Sequence, residues 1–240
     1  YARAISELAS QSRPIVVLTA NALDAQRLLD EIRWFSPKLT VSLLPDWETL
    51  PYDHFSPHQD LISERLATLY QISQSQCDIA IIPVTTALYR LTPPTYLGAY
   101  TFFLKQGQKL DVDALRQQMI ASGYSAVSQV ISPGEFSVRG GLLDLFPMGS
   151  ALPYRIDLFD DEIETIRTFD VDTQRSIYPV KAIRLLPARE FPLDEAGMAL
   201  FPQSFRDHFE GDAPKRQSYK DVSNGLDPAG QEHSLPRFFQ

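Results

Sequence analysis

The sequence has little of three features that would assign it to a common functional class. Cys77 is the single cysteine among 240 residues, which excludes an internal disulfide and indicates a reducing cytoplasm, with the thiol buried at a strand entrance. No run of about 18 apolar residues is present, so we expect no contact with a membrane. Lys and Arg number 22 against 30 Asp and Glu, a net charge of -8. This balance argues against independent DNA binding, because that affinity comes mainly from basic side chains that neutralise phosphates.

A phosphate-binding loop is also missing. The pattern G-x-x-x-x-G-K-[ST], whose glycine-rich backbone wraps phosphates, occurs nowhere, and SQSRP precedes the first predicted strand where such a loop would belong. The Gly-Gln-Lys run at 107–109 is followed by Leu110 and precedes a predicted helix. We therefore expect no catalytic residue and no cofactor in this chain.

The irregular segment DWETLPYDHFSPHQD offers two further possibilities, which we consider weak. His54 and His58 lie four residues apart among acidic side chains, but Pro57 prevents them from sharing a helical face, so we expect no metal site. Its aromatic residues could stack on nucleic-acid bases, but the segment contains no Lys or Arg, and packing onto the protein is favoured. These aromatic residues are Trp47, Tyr52 and Phe55.

The first 99 residues show a pattern typical of an α/β domain. Apolar runs at 15–20, 41–44 and 78–84 predict buried parallel strands, and helices are predicted over 21–35, 57–72 and 85–91. Asn21 is the predicted N-cap of the first of these helices. Ser56, Pro57 and Gln59 form a capping-box signature for the second. The prolines at 93 and 94 predict a domain boundary.

From residue 100 the pattern changes to short strands around one helix at 111–122. Two-residue alternation in GEFSVRGG places Arg139 outward, and in PYRIDLF it places Arg155, Asp157 and Phe159 outward. An outward Phe is either covered by a neighbouring loop or part of a protein-binding patch, since aromatic and Arg side chains dominate interface energies. Spacing leaves both interpretations open. A last helix is predicted over 194–209, and residues 211–240 are polar with little periodicity.

At this point the sequence resembles a known family. VRGGLLDLFP followed by LPYRIDLFDDEIETIRTFDVDTQRS resembles the second domain of the bacterial transcription-repair coupling factor, within the region that it shares with the repair helicase UvrB. LPDWETLPYDHFSPHQDLISERLATLY, at 44–70, is more similar to the coupling factor than to UvrB. The resemblance implies the amino-terminal, UvrB-like module of that factor, as a fragment.

The resemblance also implies a fold and a domain organisation. The expected fold class is α/β: a degenerate helicase-like parallel-sheet domain, related to the P-loop NTPases, with an inserted α+β domain as in UvrB. Residues 1–99 would form the first part of the α/β domain and 100–181 the inserted UvrA-binding domain. Residues 182–240 would return to the first domain and be truncated.

The function that the resemblance implies is non-catalytic. The module would recruit the repair protein UvrA to stalled RNA polymerase for nucleotide excision repair, in competition with UvrB, in the bacterial cytoplasm. Arg139, Arg155 and Phe159 match the family's UvrA-contacting positions, and Asp157 and Arg167 would be rim residues. RNA polymerase, DNA and ATP-driven translocation would belong to domains absent here, and the carboxy-terminal part of the full-length protein would mask the docking face.

Two alternatives from other classes remain open. The chain could be one lobe of an ATP-dependent DNA helicase or translocase, which a nucleotide titration would reveal. It could also be a degenerate DNA clamp, whose binding would depend steeply on salt.

Overall fold

The computed structural model of the chain describes residues 1–50, 53, 55–208, 216–226 and 228–239. Tyr52 and His54, together with the predicted helix end at Phe209, lie outside these ranges. Within them the chain forms a mixed α/β structure with several sheets, as the sequence predicted.

A three-stranded parallel sheet occupies the first part of the chain. Its strands are β1 (Ile15–Thr19), β2 (Val41–Leu43) and β3 (Ile79–Pro83), in the order β1-β3-β2. All five residues of the central strand β3 are buried, as its continuous apolar sequence predicts. Helices α1 (Ala2–Ala9) and α2 (Ala22–Phe35) bury an apolar stripe with this sheet. The Asn21 side chain accepts a hydrogen bond from the Asp24 backbone N–H, so Asn21 is the N-cap of α2.

The next helix begins two residues later than its sequence signature predicts. Helix α3 spans Gln59–Ser73 and its N-cap is His58, whose ring Nδ1 accepts a hydrogen bond from the Asp60 backbone N–H. The predicted capping box is therefore wrong, because Ser56 and Pro57 precede the helix. Short helices α4 (Val84–Ala87) and α5 (Pro94–Ala99) follow β3. The prolines at 93 and 94, predicted as a boundary, are the N-cap and first residue of α5.

A six-stranded sheet dominates the central part of the chain. Its strands are β5 (Ser125–Ala126), β6 (Glu135–Arg139), β7 (Leu142–Phe146), β8 (Tyr154–Phe159), β9 (Glu162–Phe169) and β10 (Ser176–Val180). Strands β6 to β10 pair antiparallel in chain order, and β5 pairs parallel with β6 at one edge. Helix α6 (Val112–Ala121), capped by Asp111, buries Leu115 and Met119.

A separate antiparallel pair joins β4 (Phe102–Lys105) to β11 (Ala182–Leu185). The predicted boundary at 181/182 therefore lies between β10 and a strand that pairs with the start of the central region. Beyond it the chain forms helices α7 (Glu195–His208) and α8 (Gln217–Ser223) and a 3-10 helix (Gln231–Phe238). These three helices share a small core rich in aromatic residues, with Phe191, Phe201, Phe205 and Phe238.

The largest apolar core connects the two main sheets. It joins Leu66 of α3 to Leu104 of β4, Leu143 of β7 and Ile156 of β8. The four residues are at most 2% exposed, so α3 and the central region share one continuous interior.

A buried ion pair lies beside this core. Arg65 Nε donates to Glu190 Oε1 at 2.6 Å, and the two side chains are 0% and 1% exposed. Trp47 Nε1 donates to the same carboxylate oxygen at 3.0 Å, and the Arg65 guanidinium lies 4.5 Å from the centre of the Trp47 ring. Trp47 is therefore packed into the protein, as predicted, and this network ties the 45–47 segment to α3 and residue 190. The same prediction is wrong for Phe55, which is 57% exposed. Among the residues described, no helix has the length and apolar character needed to cross a bilayer.

Candidate protein-binding surface

One face of the six-stranded sheet carries the five residues that the sequence singled out. Antiparallel register sets Arg139 opposite Leu142, and Leu142 opposite Asp157. Arg155 is opposite Arg167, its neighbour on β9. Because side chains alternate between the faces of a strand, these residues lie on the face opposite the large core. We call this surface the arginine face and define it by Arg139, Asp144, Arg155, Asp157, Phe159 and Arg167.

Phe159 lies at the open end of the arginine face. Its side chain is 70% exposed, so the prediction that it points outward is confirmed and a covering loop is excluded among the residues described. The neighbouring Leu158, by contrast, packs on the main core. An exposed Phe at a strand end is what a protein-binding anchor requires.

The hairpin that carries Phe159 is held at its tip. Asp160 adopts a φ of 53°, which closes the β8–β9 turn, and the Leu110 backbone N–H donates to the Asp161 carbonyl at 2.6 Å. Lys109 Nζ adds an ion pair with Asp161 Oδ2 at 3.0 Å. On the other side, the Leu158 backbone N–H donates to the Gly141 carbonyl at 2.8 Å. These contacts fix the backbone that presents the Phe159 ring.

Asp144 was not singled out from the sequence, and it lies at the centre of the arginine face. Its side chain is 1% exposed and sits on β7, between the strands of Arg139 and Arg155. Arg155 donates to both carboxylate oxygens, from Nε at 2.7 Å and from Nη2 at 2.9 Å, and Arg139 Nη2 donates to Oδ2 at 2.8 Å. The sequence does contain a signal for Asp144. It is the one acidic residue in the apolar strand LLDLF, and a buried carboxylate needs cationic partners.

Arg155 is less accessible than its outward position implied. Its side chain is 17% exposed, Nη1 donates to the Gln174 carbonyl at 2.9 Å, and the guanidinium lies 4.8 Å from the centre of the Phe169 ring. Hydrogen bonding to Asp144 raises the pKa of Arg155 above its ordinary value. Arg155 therefore lies on the outward face, as predicted, but the loop after β9 covers most of its side chain.

Arg139 differs from Arg155 in its exposure. Its side chain is 53% exposed, and the hydrogen bond to Asp144 engages one of its terminal nitrogens. Its other guanidinium N–H groups can donate hydrogen bonds to a carboxylate or carbonyl of a partner.

The two predicted rim residues form a second ion pair on the arginine face. Arg167 Nη2 donates to Asp157 Oδ2 at 2.6 Å, and the Thr165 hydroxyl donates to the same oxygen at 2.5 Å. The side chains of Arg167 and Asp157 are 43% and 29% exposed, so the pair is partly open to solvent. The six residues that define this face include three arginines and two aspartates, and the exposed Glu162 lies opposite Phe159, within a chain of net charge -8.

The ranges that the structure describes contain no group of three His, Cys, Asp or Glu side chains placed to hold a metal ion. His58 is used as a helix cap, and His54 lies outside those ranges.

Comparison with known proteins identifies the class to which this surface belongs. Residues 102–191 match the family model described as the UvrB interaction domain, and this range contains the whole arginine face. The central region is therefore similar to the UvrB interaction domain.

Relatives cover almost the whole chain. It is 49% identical over 236 residues to the transcription-repair-coupling factor of Escherichia coli, an alignment that covers 98% of this chain and 20% of that protein. The Haemophilus influenzae factor is 46% identical over 243 residues, with 99% and 21% covered, and the Bacillus subtilis factor 33% identical over 187 residues, with 77% and 16% covered. The chain belongs to the transcription-repair-coupling factor family, and it spans about a fifth of the length of these relatives.

Proposed function

We propose that this chain is a non-catalytic interaction module that recruits UvrA to stalled RNA polymerase for nucleotide excision repair, by presenting a UvrB-like docking face. The observation that carries the proposal is the arginine face, where a Phe159 ring that is 70% exposed shares one sheet face with a half-exposed Arg139. The match of residues 102–191 to the UvrB interaction domain supports the choice of partner.

The chemistry of the arginine face indicates what the partner surface must provide. Phe159 needs an apolar pocket, and burying such an anchor at an interface centre is worth roughly 2 kcal/mol or more. Arg139 needs an acceptor, because a cation desolvated without a partner would weaken binding. Asp157 and Arg167 already satisfy each other and therefore act as rim residues. The complementary UvrA surface accordingly combines an apolar pocket with at least one acidic group.

The proposed domain organisation follows UvrB. Residues 1–99 form the first part of a helicase-like parallel-sheet domain that has no nucleotide site, 100–181 form the inserted UvrA-binding domain, and 182–240 return to the first domain. The three-stranded parallel sheet and the buried Arg65–Glu190 pair support this organisation, since the pair links the first segment to the last. The absence of a phosphate-loop pattern from the sequence supports a module without enzymatic activity.

The intact protein supplies the remaining functions. RNA polymerase binding, DNA binding and ATP-driven translocation reside in parts of the longer family members outside this chain, which acts in the bacterial cytoplasm. The carboxy-terminal part of the full-length protein masks the arginine face until it is needed. UvrB competes for the same surface of UvrA.

Binding of the purified chain to UvrA tests the proposal. We expect Phe159→Ala and Arg139→Ala each to weaken UvrA binding by roughly 2 kcal/mol or more, about thirtyfold, with an unchanged far-UV circular dichroism spectrum. Phe55→Ala is the matched control, because this ring is 57% exposed and lies in a different segment. Equal UvrA binding by all three variants and the parent would show that the assigned face is wrong.

A nucleotide titration separates this function from that of a helicase lobe. We expect no saturable ATP binding, because the sequence offers no phosphate loop. Saturable binding at micromolar ATP would favour the alternative that the chain is one lobe of a helicase.

A further inference from the structure

Arg139 and Arg155 converge on one buried carboxylate, although like charges at this separation repel each other. Asp144 accepts three hydrogen bonds of 2.7 to 2.9 Å from the two guanidinium groups. With the Asp144 charge present, the two cations can lie on one sheet face, on either side of strand β7. Without it, the more mobile of the two would move away.

The two arginines depend on Asp144 to different degrees. Arg155 is also held by the Gln174 carbonyl and by the Phe169 ring, and it is 17% exposed. Arg139 is 53% exposed, and the hydrogen bond to Asp144 is its anchor on the arginine face. Removing the Asp144 charge should therefore release Arg139 more than Arg155.

We propose that Asp144 is a positioning residue of the docking face: it holds the Arg139 side chain in one orientation, available to a partner that also contacts Phe159 on the same face. This inference rests on the proposed UvrA-binding function and extends it to a residue that a partner cannot reach, since Asp144 is 1% exposed. The physical gain is preorganisation. A long, rotamer-rich side chain that is already ordered loses less conformational freedom when the complex forms.

The primary test is the affinity of the Asp144→Asn chain for UvrA, measured by biolayer interferometry. Asn keeps the shape and one acceptor oxygen of Asp but removes the charge. We expect binding to weaken by about three- to tenfold, the scale of ordering one flexible side chain. Asp78→Asn is the matched control: Asp78 pairs with Arg13 at 2.7 Å, its side chain is 16% exposed, and it directly precedes strand β3 of the parallel sheet. It should leave UvrA affinity unchanged.

A double-mutant cycle separates positioning from general loss of structure. If Asp144 acts through Arg139, then Asp144→Asn should change affinity by less than about twofold in an Arg139→Ala background. An equal loss in both backgrounds would assign Asp144 a purely structural role and overturn the proposal. Thermal melts of every variant show whether the domain remains folded at the assay temperature.

The outcomes also distinguish this proposal from the function beneath it. If the parent chain does not bind UvrA, the proposed function itself is wrong. A parent that binds, with Phe159→Ala and Arg139→Ala defective but Asp144→Asn unaffected, leaves the docking face intact and rejects the positioning role.

Discussion

Replacing Arg155 with alanine should affect both folding and binding, whereas replacing Phe159 should affect binding alone. Arg155→Ala removes two hydrogen bonds to Asp144, one hydrogen bond to the Gln174 carbonyl and the packing of the guanidinium on the Phe169 ring. It leaves Asp144, at 1% exposure, with Arg139 as its remaining cation. Removing one partner of a fully buried ion pair costs about 3–5 kcal/mol.

The expected loss of stability is smaller than the value for a fully buried ion pair. Arg155 retains 17% exposure and Arg139 still partly neutralises Asp144, so we expect Arg155→Ala to lower the free energy of unfolding by about 2–3 kcal/mol. Arg139→Ala should lower it by about 1 kcal/mol or less, because a pair with one half-exposed member contributes little. Phe159→Ala should stay within about 0.5 kcal/mol of the parent, as exposed substitutions usually do.

Urea denaturation followed by circular dichroism at neutral pH measures all three variants. If Arg155→Ala unfolds at the same urea concentration as the parent, the structural role inferred from its contacts is wrong. If it is destabilised as expected, its loss of UvrA binding cannot by itself identify a direct contact, and Phe159 and Arg139 become the decisive positions.

Three further predictions concern the rest of the chain. Glu190→Gln should destabilise the chain by about 3 kcal/mol or more in urea denaturation, because it leaves the fully buried Arg65 without a counter-charge. A loss of stability below about 1 kcal/mol would contradict the importance of the buried Arg65–Glu190 pair. Burial lowers the pKa of His233 in the folded chain below its ordinary value of 6.5. Its contribution to stability is therefore present above pH 6.5 and is lost as the pH falls from there through the lowered pKa; His233→Gln should weaken this dependence in urea melts at pH 5 to 8, and an unchanged profile would refute the assignment. Cys77 is 3% exposed and burial raises the pKa of its thiol, so a thiol reagent should modify the native chain far more slowly than the urea-unfolded chain. Equal rates of modification in the two states would contradict the burial of Cys77.

Much of the fold could be predicted from local patterns because those patterns reflect local physics. Continuous apolar runs predicted the positions of the three parallel strands, but the predicted burial of β1 is wrong, because Val16 and Leu18 are 55% and 59% exposed. Two-residue alternation predicted which side chains of β8 leave the core. Alternation fixes the face on which a side chain lies, but it does not reveal what else covers that face. Phe159 and Arg155 share a strand face, yet only the first is open, because the loop around Gln174 folds back over the second.

Contacts between distant residues account for the remaining differences. Asp144 acquires its role from strands on either side of it, and the pairing of β4 with β11 joins residues about 80 positions apart in sequence. The helix cap at His58 in place of Ser56 is a local difference, since both side chains can accept a backbone hydrogen bond and two starting points compete.

A competition experiment tests the central claim most directly. UvrA immobilised on a sensor is saturated with the chain, and UvrB is then added at increasing concentration. The proposed shared docking surface predicts that UvrB displaces the parent chain, with a midpoint that rises in proportion to the concentration of the chain. A ternary complex in which UvrA carries the chain and UvrB together on one site, or a parent chain that never binds UvrA, would contradict the claim.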